Sequence, residues 1–379
     1  MKIKDINVSV FELPNQTPLF DLINPEFNKN RWQKKIINKS STAFYHVLHV
    51  KTNEGIEGIC TVGDVRYTTL TKDILEWLKI LTINNNPLER DKLFHKLQFA
   101  TRQMYLPQGW FGAFDNCLWD IAGKTANLPV YQLIGEVRKE TPVYYNIAGE
   151  DYKTLIQDTH LALSKGFTAI KDHFHGDLKT NIQWLKGIRK ELGSKIDLMH
   201  DAGRALYDFD EALIIGKVLE DLKFRWFEEP INDREQSLLK KLCKELSIPV
   251  LNPESMMNDL TLCAEWLISG STDLLRVNAR HGTTHVLKLA DLAEAHGTTV
   301  EFNGPGGLFG LLHANLLRSI RNTSYYEYFP DGTRDAMGKE IGLLNPAIPE
   351  KGFITSSDQP GWGSEWDWKY FNKKRITQL

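Results

Sequence analysis

"KFRWFEEP", residues Lys223–Pro230, runs an apolar stretch straight into two adjacent carboxylates and a proline. A buried strand does not end on uncompensated negative charge without cost, so the acids either point into water or are held by something positive. The same kind of ending recurs on both sides of it. "PVYYN" stops at Asn146, "FTAIK" at Lys171, "IDLMHD" at Asp201, "FRWFE" at Glu228, "IPVLNPE" at Glu254, "DLLRVN" at Asn278, "TTVEFN" at Asn303 and "SYYE" at Glu327. Successive endings lie 24 to 30 residues apart, room for one strand, one helix of about 10 to 14 residues and two short loops. Eight strands at that beat predict an α/β fold of the (β/α)8 TIM-barrel type. An open doubly wound sheet would carry a glycine-rich phosphate turn after its first strand, and "NIAGED" is not one.

Composition narrows the class. The chain has 379 residues, 42% apolar and 25% charged, which suits a soluble globular protein with a large core. Forty-six basic residues against 48 acidic ones leave a formal charge of −2, so no sequence-wide basic field recruits nucleic acid or a membrane surface. Cys60, Cys117, Cys243 and Cys263 are scattered without any C-x-x-C spacing. They suggest neither a disulfide framework nor a thiolate zinc site, and a reducing cytoplasm fits. "MKIKDINVSVFELP" alternates like a strand and no run of roughly 18 apolar residues follows, so a cytoplasmic protein without signal or membrane span is expected.

Residues 1–130 read as an α+β module: strands "INVSVFEL", "AFYHVLHVKT" and "IEGICTV", the last two a hairpin about Asn53-Glu54-Gly55, then three amphipathic helices. A polar insert at about residues 15–40 separates the first two strands. It is too long for a plain connection, and Phe20, Phe27 and Trp32 favour a lid over a site. Residues 131–350 carry the barrel pattern and 351–379 form a C-terminal segment.

In a barrel the strand ends converge on one mouth, where polar residues carry chemistry. That register gathers Lys171, His173, Asp201, Glu228, Glu254, Asn278, Asn303 and Glu327. Three carboxylates on neighbouring strand ends, Asp201, Glu228 and Glu254, repel one another unless a cation sits among them, and an all-oxygen set suits Mg²⁺. Glu228 is then a metal ligand, which answers what holds the charge in "KFRWFEEP". The plainer alternative, solvated acids in separate loops, does not account for their shared period.

Several ordered segments resemble the enolase superfamily, in its mandelate racemase and sugar-acid dehydratase branch: "GAFDNCLWDIAGKTANLPVYQLIG", "GFTAIKDH", "LMHDAG", "FRWFEEP", "LNPES" and "LADLAEAHGTTVEFNGPGG". The resemblance covers nearly the whole chain, the insert being its least typical part. It implies a modified (β/α)7β barrel, with residues 1–130 as a capping domain onto which the C-terminal segment packs. It also implies one Mg²⁺ per subunit on Asp201, Glu228 and Glu254, and a reaction that begins by removing a proton α to a carboxylate. Such a carbon acid is extremely weak, so the negative charge that develops must be stabilised and the base tuned near the working pH.

The chain departs from that branch in two places. Where the branch commonly has K-x-K, with the second lysine as base, this sequence reads "KDH", Lys171 to His173. A neutral imidazole is a competent base near pH 7, so His173 is the expected base, with His175 a competitor. Where the branch often has a His-Asp dyad, the aligned positions are Asn278 and Asn303, which cannot exchange protons. A one-residue gap near "RVNARHGTT" leaves Arg280 or His281 as alternative occupants of the mouth. Glu327 matches a glutamate beside the substrate carboxylate and, if protonated, would donate. Tyr67, Arg102 and His281 are expected substrate contacts. The expected function is a Mg²⁺-dependent sugar-acid dehydratase, with a cycloisomerase of anhydro- or lactone-type sugar acids second and a non-catalytic sugar-acid-binding relative third. The expected partners are the small-molecule substrate and further copies of the chain.

Overall fold

A computed structural model describes residues 1–14, 19–26, 31–38, 42–63, 70–149, 151–203, 207–330 and 334–379. In the N-terminal part the strands are β1 (Ile3–Pro14), β2 (Leu19–Glu26), β3 (Arg31–Asn38), β4 (Thr42–Thr52) and β5 (Glu57–Thr61). β1 pairs antiparallel with β4, and β4 with β5 across a turn where Gly55 takes a φ of +83°. β2 and β3 form a separate antiparallel hairpin, so the insert expected as a long lid contains paired strands. Its alternation is hard to see in sequence because the apolar residues bury little: Leu19, Leu22, Ile36 and Ile37 are exposed.

Helices α1 (Lys72–Thr82), α2 (Arg90–Met104), α3 (Gly112–Ala126) and α4 (Val130–Ile134) follow. α1 starts on Thr71, whose side chain accepts from Ile74 N, and α3 ends on Asn127 in the left-handed conformation. Both are ordinary helix punctuation. α3 is buried along most of its length, because it lies between the N-terminal sheet and the barrel.

The barrel strands are β6 (Thr141–Asn146), β7 (Ala169–Asp172), β8 (Asp197–Asp201), β9 (Phe227–Glu228), β10 (Val250–Asn252), β11 (Leu274–Val277), β12 (Val300–Phe302) and β13 (Tyr326–Tyr328). Between them run α5 (Tyr152–Ser164), α6 (Leu178–Leu192), α7 (Phe209–Asp221), α8 (Gln236–Glu245), α9 (Leu260–Ile268), α10 (Thr283–Ala295) and α11 (Leu311–Ser319). α5, α6, α7 and α9 each begin on an aspartate, Asp151, Asp177, Asp208 and Asp259, that accepts a first-turn backbone N–H. Such caps contribute about 1 kcal/mol each.

The strands are parallel in the order β12-β11-β10-β9-β8-β7-β6-β13, a (β/α)7β arrangement. Between the two end strands the wall is closed by scattered bonds, among them Val300 N to Asn322 O at 2.9 Å, Ser324 Oγ to Glu301 Oε1 at 2.8 Å and Gly304 N to Glu327 Oε2 at 2.7 Å. Tyr144, Ala169, Met199, Trp226, Leu251 and Tyr325 fill the barrel as one apolar layer. Two residues further along, strand alternation turns the next inward side chains toward the C-terminal mouth.

The chain then returns through β14 (Phe353–Ile354), α12 (Trp368–Lys374) and β15 (Thr377–Gln378), which pairs antiparallel with β1. Among the described residues, no helix is long and apolar enough to cross a membrane.

Candidate functional site

On β7 and the residue that follows it, alternation sends Lys171 and His173 inward and Asp172 outward; on β8 it sends Asp201 inward and His200 outward. The outward pair meets behind the wall, His200 Nδ1 to Asp172 Oδ1 at 2.6 Å. The inward residues meet at the mouth. Lys171 Nζ lies 3.1 Å from Asp201 Oδ2, 2.8 Å from Glu228 Oε2 and 2.8 Å from Glu327 Oε1. His173 Nε2 is 3.2 Å from Asp201 Oδ2. Across the barrel, Arg276 Nη2 lies 2.7 Å from Glu228 Oε1 and 2.9 Å from Glu327 Oε2, and its Nε is 3.7 Å from Glu254 Oε2.

Charge in this buried layer is not balanced. Burial and the carboxylates Asp201 and Glu327 push Glu228 up to about 8, against the pull of Arg276 and Lys171. Burial, with Glu254, Asp201 and Glu228 nearby, pushes Glu229 up to about 10. Burial also opposes ionisation of Asp201 and Glu327. There Lys171 with His173, and Arg276 with Lys171, outweigh it and hold both below the usual carboxylate range. Lys171 is held charged by Glu228 and Glu327 despite its own burial. Five carboxylates thus face two buried cations, and the imbalance falls on Glu228 and Glu229, whose ionisation is disfavoured while no further positive charge is present.

That imbalance bears on whether a divalent ion fits. Among the described residues, no three His, Cys, Asp or Glu side chains already converge on one point, because the Lys171 ammonium stands between Asp201 and Glu228. The donor chemistry fits nevertheless: Asp201, Glu228 and Glu254 are oxygen donors from three successive strand ends, the set a hard cation takes. Glu228 Oε1 is buried and makes no well-aligned hydrogen bond although Arg276 is close.

Two cavities open onto this layer and share Glu229 and Glu254. One, of about 570 Å³, holds Lys171, His173, Asp201, Asn303 and Glu327. The other, of about 440 Å³, lies against the N-terminal module, between Gln108–Trp110 and Arg280, His281 and Asn258. The module sits this close because Gly112 packs on the loop after β11, where a Cβ would come within 2.2 Å of Arg280 O.

The remaining expected site residues divide. Asn303 Nδ2 donates to Glu254 Oε2 at 3.0 Å and belongs to the mouth. Asn278 instead serves the backbone: its Oδ1 accepts from Arg280 N at 2.8 Å and its Nδ2 donates to Asn303 O. Glu327 accepts from Lys171, Arg276 and Gly304 N and is ionised, so the expectation of a protonated donor there does not hold. His281 lines the second cavity; its Nε2 accepts from Arg280 Nε at 3.0 Å, and burial followed by Arg280 pushes it well below the usual histidine range. Arg102 is exposed on α2 beside Tyr105 and lines neither cavity. Tyr67 lies outside the described residues. His175 borders the first cavity, exposed, with Nδ1 3.0 Å from His173 O.

Two residues escaped the sequence reading. Glu229 follows the strand end, and only its left-handed φ of +45° turns it to the mouth beside Glu228. Arg276, fully buried, was hidden inside an apolar strand. An arginine in "LLRVN" flanked by leucine and valine is itself the signal, since a buried guanidinium needs carboxylate partners.

Comparison with known proteins agrees with this architecture. Residues 155–370 match a family model described as enolase C-terminal domain-like, and residues 28–135 one for the N-terminal domain of mandelate racemase and muconate lactonizing enzyme. A D-galactonate dehydratase family member from Oceanicola granulosus is 27% identical over 376 residues, covering 85% of this chain and 90% of that protein. An arabinonate dehydratase from Saccharolobus solfataricus is 27% identical over 286 residues, covering 72% and 74%. Among solved structures, D-glucarate dehydratase from Agrobacterium tumefaciens complexed with magnesium superposes with a TM-score of 0.83 at 25% identity over 100% of both chains. The 3,6-anhydro-D-galactonate cycloisomerase from Zobellia galactanivorans gives 0.77 at 20% identity, again over 100% of both.

Proposed function

The chain belongs to the enolase superfamily, in its mandelate racemase branch, and from that premise we propose that it is a Mg²⁺-dependent sugar-acid dehydratase. The observation that carries this reading is one-sided chemistry at the mouth. A histidine stands just past the end of β7, while asparagines stand at the ends of β11 and β12, so the second acid-base pair at those two strand ends is missing.

In this reading His173 removes the proton α to the substrate carboxylate. Lys171, kept charged by its carboxylate neighbours, pairs with that carboxylate and fixes its distance from the imidazole. Asp201, Glu228 and Glu254 would hold Mg²⁺, which supplies positive charge where negative charge develops on the substrate carboxylate. Glu228 and Glu327, themselves paired with Arg276, keep Lys171 in place. Asn303 donates toward the oxygen that gains charge. The C–H electron pair forms the new double bond as the β-hydroxyl takes back the proton held on His173 and leaves as water, and the enol product tautomerises to a 2-keto-3-deoxy acid.

The same residues suit a cycloisomerase, in which a ring oxygen leaves instead, and the structural likeness to the Zobellia enzyme supports keeping that second reading. A panel of aldonates, aldarates and anhydro sugar acids incubated with Mg²⁺ separates them. Formation of a 2-keto-3-deoxy acid supports the dehydratase, and ring opening without loss of water supports the cycloisomerase. No turnover and no α-deuterium exchange on any member points to a sugar-acid-binding relative.

A further inference from the structure

We infer that Arg276 selects the divalent cation, favouring Mg²⁺ over Ca²⁺ by denying it a chelating carboxylate at Glu228. The inference rests on the reading that Asp201, Glu228 and Glu254 hold the ion. Arg276 is fully buried and its guanidinium is fixed from several sides. Nη1 donates to Tyr144 OH at 3.2 Å and to Phe302 O at 3.1 Å, while Nη2 reaches Glu327 Oε2 at 2.9 Å. The same Nη2 lies 2.7 Å from Glu228 Oε1, and Nε faces Glu254 Oε2 at 3.7 Å.

Glu228 Oε1 therefore faces a cation fixed by other partners, although the two make no well-aligned hydrogen bond. Its other oxygen meets Lys171 Nζ at 2.8 Å and Trp226 Nε1 at 3.3 Å. The Lys171 ammonium sits on a flexible stem and can yield Oε2 to an incoming ion, whereas the fixed guanidinium stays beside Oε1, so Glu228 gives the ion one oxygen but not both. Mg²⁺ is satisfied by single carboxylate oxygens and retained waters in a tight octahedron, whereas Ca²⁺ takes six to eight oxygens and often a bidentate carboxylate. The arginine thus penalises the larger ion more, and its positive charge beside two ligand carboxylates weakens binding of any divalent cation.

The test uses the metals alone. Parent, Arg276→Gln and Tyr144→Phe are titrated by calorimetry with MgCl₂ and with CaCl₂, after circular dichroism shows which are folded. Arg276→Gln should lower the Ca²⁺-to-Mg²⁺ ratio of Kd values by about tenfold, the scale on which partners of ligand groups tune metal sites. Tyr144→Phe, which only loosens the guanidinium, should lower it by less and keeps the inference testable should the glutamine variant not fold. An unchanged ratio in a folded variant overturns the inference while leaving the metal site standing. A parent that binds neither ion overturns both.

Discussion

Glu228 and Asp201 were legible as candidate ligands because each ends a strand on a shared beat and the next inward position is fixed by alternation. Glu228→Gln and Asp201→Asn should each weaken Mg²⁺ binding by about 10-fold or more while the melting temperature shifts little, since both lie at the mouth and not in the apolar layer. Calorimetry and a thermal melt read the two quantities separately, and Mg²⁺ affinity equal to the parent's in either variant shows that residue is no ligand. Roles carried over from the family pattern alone did not fare as well. Asn278, aligned with a proton carrier, turned out to serve the backbone. Glu327 shows the reason: whether a glutamate is protonated depends on Arg276 and Lys171, which the sequence places far away along the chain. Arg102 was misplaced for a similar reason, because helical periodicity tells which face of α2 is buried but not what that face looks toward.

Among the elements, α3 does most to join the module to the barrel. Asp115 accepts from Thr284 N at 2.8 Å and Thr284 Oγ1 at 2.7 Å, and Asn116 accepts from Thr283 N at 2.8 Å. Side chains of one unit thereby satisfy the open N–H groups at the start of α10 in the other. Burial pushes Asp115 up to about 6, only partly offset by its bonds from Thr284. Its folded pKa lies above the unfolded value of about 3.9, so its contribution is fully present below about pH 4 and is lost as pH rises through about 6, a change on the order of 3 kcal/mol. Denaturant unfolding of parent and Asp115→Asn should show a difference between them that changes across this window. A difference equal at pH 4 and pH 7 contradicts the assignment. The helix itself was legible from "GAFDNCLWDIAGKTAN", but its partner was not, because periodicity does not say which distant helix a polar face will cap.

For the molecule as a whole, the eight-beat pattern made the barrel readable, while its joins were not. β15 is two residues long and carries no pattern of its own, yet it extends the N-terminal sheet. Asp120 shows how such joins hold: one buried carboxylate accepts from Ile59 N at 2.9 Å and Trp362 N at 3.0 Å and pairs with Lys124 at 2.7 Å. Asp120→Ala leaves those donors without their acceptor and should lower unfolding free energy by about 3 kcal/mol, read as a lower denaturation midpoint. A midpoint unchanged from the parent's would show that the three segments are held together by packing alone.

The central claim is that this fold delivers one base, His173, to a carbon acid held over a metal site. The direct measurement is α-deuterium incorporation in D₂O with Mg²⁺ and a sugar acid that the parent turns over, comparing parent with His173→Ala, whose Mg²⁺ affinity is measured alongside. The account predicts exchange and product with the parent, neither with His173→Ala, and Mg²⁺ affinity in the variant within about threefold of the parent's, because the ligands are carboxylates on other strands. Exchange at the parent rate in His173→Ala, with metal affinity intact, would contradict it and place the base elsewhere at the mouth.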